Sequence, residues 1–477
     1  MIICGRIAAT YPNKMKTYDA IVIGAGQAGG PLAKKLALAG KKTALIEKRY
    51  VGGTCVNDGC TPTKTMVGSA KAAYMISKAK ELGIDVKDFK VNMKRIKKRK
   101  DEVVFQFRNG SQTGLEKTRG LDLILGKATF TGEKTISVKL NSGRTTELKA
   151  DLVFMNTGCK PVVPEIEGLK DIDYLDSTSI LDLDYVPEHL LIVGGNYIGL
   201  EFGQMFRRFG SKVTILEKSA RIVSREDEDV SDELTKILEA EKIKIIPNSQ
   251  AVKFKKTGKG NISATISIDG KESNIKCTHV LVAIGRAPQT AELNLDKTGV
   301  KTDERGFIVV DDHLETNVKG MYALGDVKGG PAFTHVSYND YTIVYRNLVQ
   351  GTDYNTKDRP IPYCMFTDPQ LGRIGLSETE ARKQGLNFKV AKLPMAYVAR
   401  AIETGDTRGF MKAVVDPETK KILGATVLGP EGGEIMTVLQ VAMEGGITYD
   451  RIRYCVFAHP LYSESLNNLF MSLDQIK

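Results

Sequence analysis

Long hydrophobic runs are missing from this sequence. No stretch reaches the roughly eighteen apolar residues of a membrane-spanning helix, so neither a transmembrane segment nor a membrane partner is expected. Cysteine is sparse, seven in number and scattered. An odd, dispersed set argues against a secreted disulfide framework and for a reducing cytoplasm, where any disulfide would be a working one. Histidine is sparser still, at five residues, and none lies near Cys55 and Cys60 along the chain; His279 and His459 follow only single cysteines, Cys277 and Cys455. No resident metal site is therefore expected. The segment MIICGRIAATYPNKMK has no clear cleavage site. It reads as a loose extension before Tyr18, with Met15 as an alternative start. Net charge is +11, yet no nucleic-acid-binding module accompanies it, so no nucleic-acid partner is expected. The densest basic run, Lys94 to Lys100, reads as the exposed face of a helix. A positive surface also attracts anionic cofactors.

What is present is an ordinary globular composition, 42% apolar and 26% charged over 477 residues. That length leaves room for two or three domains. Near the start, the apolar stretch DAIVI runs into Gly24-Ala-Gly26-Gln-Ala-Gly29. A helical stretch follows, then KTALI, which ends on Glu47. Strand, glycine turn, helix, strand and an acid about twenty residues on make a dinucleotide-binding unit. Gly24 makes the tight turn, Gly26 admits the pyrophosphate and Gly29 lets the helix pack on the strand. The helix start offers unpaired N–H groups to phosphate, and Glu47 can accept from both ribose hydroxyls.

The pattern returns at His189. LLIV leads into Gly194-Gly195-Asn196-Tyr197-Ile198-Gly199, and KVTIL ends on Glu217. Asn196 stands where the second glycine is expected; asparagine tolerates unusual backbone angles. Two such units imply two nucleotides in two domains, with electron transfer between them as the simplest reason to carry both. One live site and one relic is the alternative.

Between the two units, GGTCVNDGCTPTK sets Cys55 and Cys60 five positions apart. Zinc would need two more soft ligands at useful spacing. A disulfide would need a distorted segment. Five residues of regular helix rise about 7.5 Å, more than the roughly 4.4–6.8 Å usual between bridged Cα atoms. Asn57, Asp58 and Gly59 permit distortion, and Pro62 suits a first helical turn. Cys60 would then lie at a helix N-terminus, with Lys64 a turn later, a setting that favours thiolate.

This segment resembles the GGTCxNxGCxPxK motif of the FAD- and pyridine-nucleotide-dependent disulfide oxidoreductases, a family that includes dihydrolipoamide dehydrogenase, glutathione reductase and mercuric reductase. The resemblance runs from about Tyr18 to Phe470. It implies a Cys55–Cys60 disulfide against the flavin, with Cys60 facing the flavin and Cys55 meeting substrate. It also implies that Lys64 pairs with Glu201. Met155-Asn-Thr-Gly-Cys-Lys-Pro161 is similar to the family's ATGxxP turn, with Asn156 in place of the usual alanine. Val282-Ala-Ile-Gly-Arg-Ala-Pro288 is similar to a second such turn. Met321 to Asp326 resembles the motif whose aspartate holds the ribityl chain, and Tyr197 matches a residue gating the nicotinamide pocket. By the same resemblance Gly53, Thr54, Ala128, Thr157, Gly158, Gly285, Arg286, Asp326, Phe333 and His335 join the cofactor-binding set. His459 and Glu464, in HPLYSE, match an acid–base dyad supplied by the partner subunit of a homodimer. Pro369 and Pro460 match cis-proline sites.

Among subgroups, FTHVSYNDY and HPLYSESLNNLF look most like mercuric-reductase-like flavoproteins linked to reactive-chlorine and metal resistance. There is no cysteine after Cys455, whereas mercuric reductases usually carry a C-terminal pair. The resemblance implies an enzyme passing electrons from NAD(P)H, through FAD and the dithiol, to a small-molecule disulfide, metal ion or other acceptor. NADH is moderately favoured, because Glu217 would repel a 2′-phosphate while Lys218 and Arg221 soften that preference. Other readings are a dihydrolipoamide dehydrogenase or related disulfide reductase and, from another class, a flavin-bound redox sensor with little turnover. The expected fold is α/β, with two Rossmann-like domains and a C-terminal α+β dimerisation domain. The expected boundaries are 1–152 for the FAD domain (1–16 loose), 153–285 for the NAD(P) domain, 286–352 for the returning FAD part and 353–477 for dimerisation. In the last, ILGATVLG and EIMTVLQVAMEGG suggest a strand packed with helices.

Overall fold

The computed structural model describes residues 15–258, 260–357 and 359–475. The chain divides into two compact units. One comprises Met1–Asn57, Val104–Lys160 and Arg286–Asp358, the other Asp58–Val103, Pro161–Gly285 and Arg359–Lys477.

The first unit is built on a six-stranded sheet. Strands β1 (Lys16–Ile23), β2 (Thr43–Glu47), β3 (Leu121–Gly132), β5 (Thr145–Met155) and β15 (Met321–Ala323) run parallel in the order β3-β2-β1-β5-β15. Strand β4 (Thr135–Leu140) is antiparallel to both β3 and β5. Registers such as Ile23↔Ile46 and Ile23↔Met155 bring the ends of β1, β2 and β5 level. Residues Ala20–Ile23 and all of β2 are buried. A strand covered on both faces has no reason to alternate, and these read as continuous apolar runs. Helices α1 (Gly29–Leu38), α2 (Gly53–Asn57) and α7 (Thr334–Gln350) belong to this unit. The short strands β6 (Cys159–Pro161) and β14 (Arg286–Pro288) stand where the chain leaves the unit and returns. Lys16 and Thr17 already pair with Leu148 and Lys149, so β1 begins inside the stretch expected to be loose. Residues 1–14 of that extension lie outside the described residues.

The second unit holds three sheets. A parallel sheet orders β7 (His189–Val193), β8 (Lys212–Leu216), β9 (Ile243–Ile246) and β13 (His279–Val282) as β13-β7-β8-β9. Helix α5 (Tyr197–Phe209) follows β7, and α6 (Glu228–Ala240) precedes β9. An antiparallel sheet of β10 (Ser249–Thr257), β11 (Asn261–Ile268) and β12 (Lys271–Cys277) is inserted before β13. The third sheet is antiparallel: β16 (Tyr363–Met365), β17 (Gln370–Gly375), β20 (Ile422–Gly429), β19 (Phe410–Val415) and β18 (Lys389–Pro394). Strand β20 is the expected ILGATVLG. The expected helix is α10 (Gly432–Glu444), whose Leu439 shares a core with Val427, Leu466 and Phe470. Short helices α8 (Glu378–Lys383), α9 (Ala399–Glu403), α11 (Tyr449–Arg453) and α12 (Leu466–Met471) complete this part. Helix α3 (Cys60–Lys78) lies in the same unit.

The basic run lies in α4 (Met93–Glu116), as expected, but not wholly on an exposed face. Lys100 is buried, and its ammonium meets Asp101 at 2.5 Å and Asp182 at 3.5 Å. The peptide bonds before Pro369 and Pro460 are both cis. Among the described residues no helix is long and apolar enough to cross a membrane.

Candidate active site

The first glycine turn joins β1 to α1. Gly24 has φ 102°, and a Cβ there would lie 2.3 Å from the Asn156 carbonyl oxygen. A Cβ on Gly29 would lie 2.0 Å from the Gly24 carbonyl oxygen. Neither position admits a side chain. Glu47, at the end of β2, closes the turn. Its Oε2 accepts from the Ala25 N–H at 2.9 Å and its Oε1 from the Arg49 N–H at 2.8 Å. One lone pair per oxygen is then left for a ribose diol. The turn also receives the redox segment. The Gly52 N–H donates to the Ala25 carbonyl at 2.8 Å, and the Gln27 amide donates to the Gly52 carbonyl at 3.0 Å. A Cβ on Gly53 would come 2.7 Å from the Gly26 Cα. Thr54 continues into α2.

The other cofactor candidates of this unit gather at the ends of β5 and β15. Gly158 has φ 66°. The Thr157 hydroxyl and the Arg286 Nε are both buried and have no hydrogen-bond partner. Arg286 spends another nitrogen on the Cys159 carbonyl, at 2.6 Å. Burial pushes the Asp326 carboxyl up, against the pull of Arg286 and Lys328. Buried polar groups are nearly always paired, so orphaned atoms beside a complete glycine turn fit a missing polar ligand. Phe333 caps the start of α7, and its ring stacks on His335 with centroids 5.3 Å apart. Ala128 differs in kind. It sits in mid-strand opposite Val138, with its methyl in the core beside Phe130 and Ile136.

The second turn repeats the first. Gly194 has φ 115°, and a Cβ on Gly199 would lie 2.0 Å from the Gly194 carbonyl oxygen. Glu217 accepts from the Gly195 N–H at 2.9 Å and from the Ser219 N–H at 2.7 Å. Asn196 needs no unusual backbone angle. It is extended, with φ −104°, and its side chain accepts from the Tyr197 N–H at 3.0 Å as α5 begins. Ile198 is half-buried and Gly285 has φ 142°. Arg221 is engaged by the acids Asp232, at 3.1 Å, and Glu228, whereas Lys218 is exposed.

Cys55 is half-buried on α2, and Cys60 is the exposed first residue of α3. Asn57 organises α2. Its amide donates to the carbonyls of Val51, at 3.1 Å, and Gly53, at 2.8 Å. Its oxygen accepts from the Arg108 Nε at 2.6 Å, and the Arg108 guanidinium lies 3.8 Å from the Tyr50 ring centroid. Nothing in the sequence pointed to Arg108, which comes from α4. On α3, Lys64 meets Glu201 at 2.7 Å. Glu201 is buried and also accepts from the Phe366 N–H at 2.8 Å, while the Lys64 ammonium sits 4.9 Å from the Phe366 ring centroid. Phe366 was likewise not anticipated. His459 presents Nδ1 to both oxygens of Glu464 at 3.1 Å. Burial pushes the thiols of Cys159, Cys277 and Cys364 up to about 12, which leaves them protonated and inert near neutral pH.

The model of the pyridine nucleotide-disulphide oxidoreductases matches residues 18–340, and that of the family's dimerisation domain matches residues 361–470. The chain belongs to the pyridine nucleotide-disulphide oxidoreductase family, flavoenzymes that use FAD and NAD(P)H. It is 38% identical to the probable pyridine nucleotide-disulfide oxidoreductase RclA of Escherichia coli strain K12, over 96% of this chain and 99% of that one. It is 33% identical to a mercuric reductase of Staphylococcus aureus, over 97% and 84% of the two chains. A dihydrolipoyl dehydrogenase of Thermus scotoductus is 35% identical over 95% and 96%. The solved Cu(II) complex of the HOCl-induced flavoprotein disulfide reductase RclA from Escherichia coli superimposes with a TM-score of 0.88 at 37% identity, covering 97% and 100%.

Proposed function

We propose that this chain oxidises NAD(P)H, NADH moderately better than NADPH, and delivers the electrons through Cys55 and Cys60 to a small disulfide or a metal ion. The observation that carries the reading is the pair of acid-clamped glycine turns in one chain, one for each nucleotide. The orphaned Thr157 and Arg286 atoms support a place for FAD in the first unit, where its glycine turn, Glu47, Gly53, Thr54, Thr157, Gly158, Arg286 and Asp326 would hold it. Bound there, FAD supplies electron exchange between a hydride donor and a thiol pair. Residues around Gly194 to Glu217 take NAD(P)H. With Arg221 held by two acids, Glu217 weighs against a 2′-phosphate. The C-terminal part, from about residue 353, assembles a cytoplasmic homodimer.

Each turnover moves two electrons. The dithiol loses two electrons and two protons as its S–S bond forms. A disulfide acceptor takes both pairs and becomes two thiols; a metal ion takes electrons alone and leaves the protons to be removed. The N-terminus of α3 favours negative charge on Cys60. The Glu464 carboxylate fixes the His459 tautomer with the proton on Nδ1, which leaves Nε2 to take a thiol proton. That proton acceptor serves the partner's cysteines. The mercuric reductases and the Cu(II)-complexed disulfide reductase among the relatives support a metal-ion acceptor.

Turnover with Hg(II), Cu(II), glutathione disulfide and lipoamide, under NADH and NADPH, tests the reading. At least one acceptor should be reduced, and Cys60→Ser should abolish that turnover while the protein stays yellow. His459→Ala should lower dithiol turnover by about a hundredfold or more. Mixed dimers of Cys55→Ser and His459→Ala subunits should regain part of it. Full acceptor turnover in Cys60→Ser would overturn the proposal.

A further inference from the structure

We propose that Asn156 is a positioning residue for FAD, its buried carboxamide cross-linking the start of α1 to the segment that carries Asp326. The inference rests on the reading that FAD occupies the first glycine turn.

Asn156 follows β5 and is buried. Its Oδ1 accepts from the Gly29 N–H at 2.9 Å, and its Nδ2 donates to the Leu324 carbonyl at 2.8 Å. The orientation of the amide is fixed by chemistry, because a flip would set NH₂ against N–H and oxygen against oxygen. Space is fixed too. A Cβ on Gly26 or Gly29 would lie 3.0 Å from Oδ1, and one on Gly325 would lie 2.9 Å from Nδ2. One side chain thus fills the gap left by three glycines. The Gly29 N–H belongs to the first turn of α1, the end of a helix that faces phosphate. Leu324 lies two residues before Asp326. A single amide therefore holds two FAD-binding segments at a set separation.

The second turn has no such tie. There the carbonyl packed against the first glycine is that of Ala283, 2.5 Å from a Cβ built on Gly194, where the first turn has Asn156 at 2.3 Å. A methyl group replaces the carboxamide. The difference matches what each site must do. FAD stays through many turnovers, whereas the nicotinamide nucleotide leaves in each one.

Release of FAD from diluted holoenzyme, followed by flavin fluorescence, tests the proposal. Asn156→Ala places in the first turn the residue the second turn already uses. It should release FAD about tenfold faster, the order expected for losing a buried hydrogen bond. Asn156→Asp keeps shape and acceptor, loses the donor and sets negative charge beside the phosphate-binding turn; it should release FAD faster still. In both, the NADH dissociation constant should stay within about twofold of the parent. Wild-type release in both variants overturns the proposal. So does wild-type release in Asn156→Asp alone, which would mean space-filling. A parallel loss of NADH binding also overturns it, since that marks general loosening. Glu47→Ala and Glu217→Ala separate this failure from that of the reading beneath it. If Glu217→Ala alone speeds FAD release, FAD does not occupy the first turn and the proposal falls with that assignment. If Glu47→Ala speeds release and Asn156→Ala does not, only the role of Asn156 is lost.

Discussion

At Gly24 and at Gly194 the backbone turns with φ of 102° and 115°, and behind each turn an acid accepts two backbone N–H groups. The third glycine of each motif is equally crowded, its missing Cβ 2.0 Å from a carbonyl oxygen. The turns part company in the middle. In the first, a Cβ on Gly26 would lie 3.0 Å from the Asn156 Oδ1, and one on Gly53 would lie 2.7 Å from the Gly26 Cα. In the second, Asn196 is exposed and extended. The lesson is that the outer glycines and the acid serve the turn itself, whereas the middle position answers to whatever the rest of the unit packs against it.

Exchanging the middle residues should break that comparison unevenly. Gly26→Asn sets a side chain against the Asn156 amide, whose Oδ1 lies 3.0 Å from the position of the new Cβ, so the variant should purify with little FAD, read as the ratio of flavin to protein absorbance. Stoichiometric flavin in Gly26→Asn would show that the crowding is relieved at little cost. A smaller effect is expected at the second acid. Glu217→Gln removes charge repulsion, and the ratio of kcat/KM for NADH over NADPH should fall by about tenfold. Glu228→Ala, which loosens one of the two acids on Arg221, should raise NADPH use by less than about fivefold, the range of an exposed ion pair. An unchanged ratio in Glu217→Gln would assign specificity to other residues. Least of all is expected from Asn196→Gly. Glycine at a helix N-cap costs a few tenths of a kcal/mol relative to asparagine, so Tm should shift by about 1 °C and NADH affinity should hardly move. A large loss there would mean that Asn196 itself contacts the nucleotide.

Both strand–glycine turn–helix units were legible in the sequence because their determinants are local. A strand covered on both faces must be apolar throughout, a tight turn must be glycine, and the acid ends the next strand, so all the signals fall within about thirty residues. The role of the cysteine segment was read only through resemblance to a family, and its glycines' approach to the first turn emerged with the structure. The basic run in α4 was legible as helix but not as surface, since the Lys100 ammonium turns inward to Asp182. Arg221 showed itself as a nearby cation, but its capture by Glu228 and Asp232 depends on where α6 packs. Lys64 and Glu201, 137 residues apart, were joined only through resemblance to a family.

The sequence by itself determined the two glycine turns and the acids behind them, because each is set by backbone sterics and hydrogen bonds among near neighbours. Only the tertiary structure decided that Arg108 grips Asn57, that Phe366 completes the partners of Glu201, and that Asn156 reaches a carbonyl 168 residues away. A hydrogen bond is satisfied at one distance and one angle. Which donor meets which acceptor across such separations is fixed only when the packed sheets and helices have set both in place.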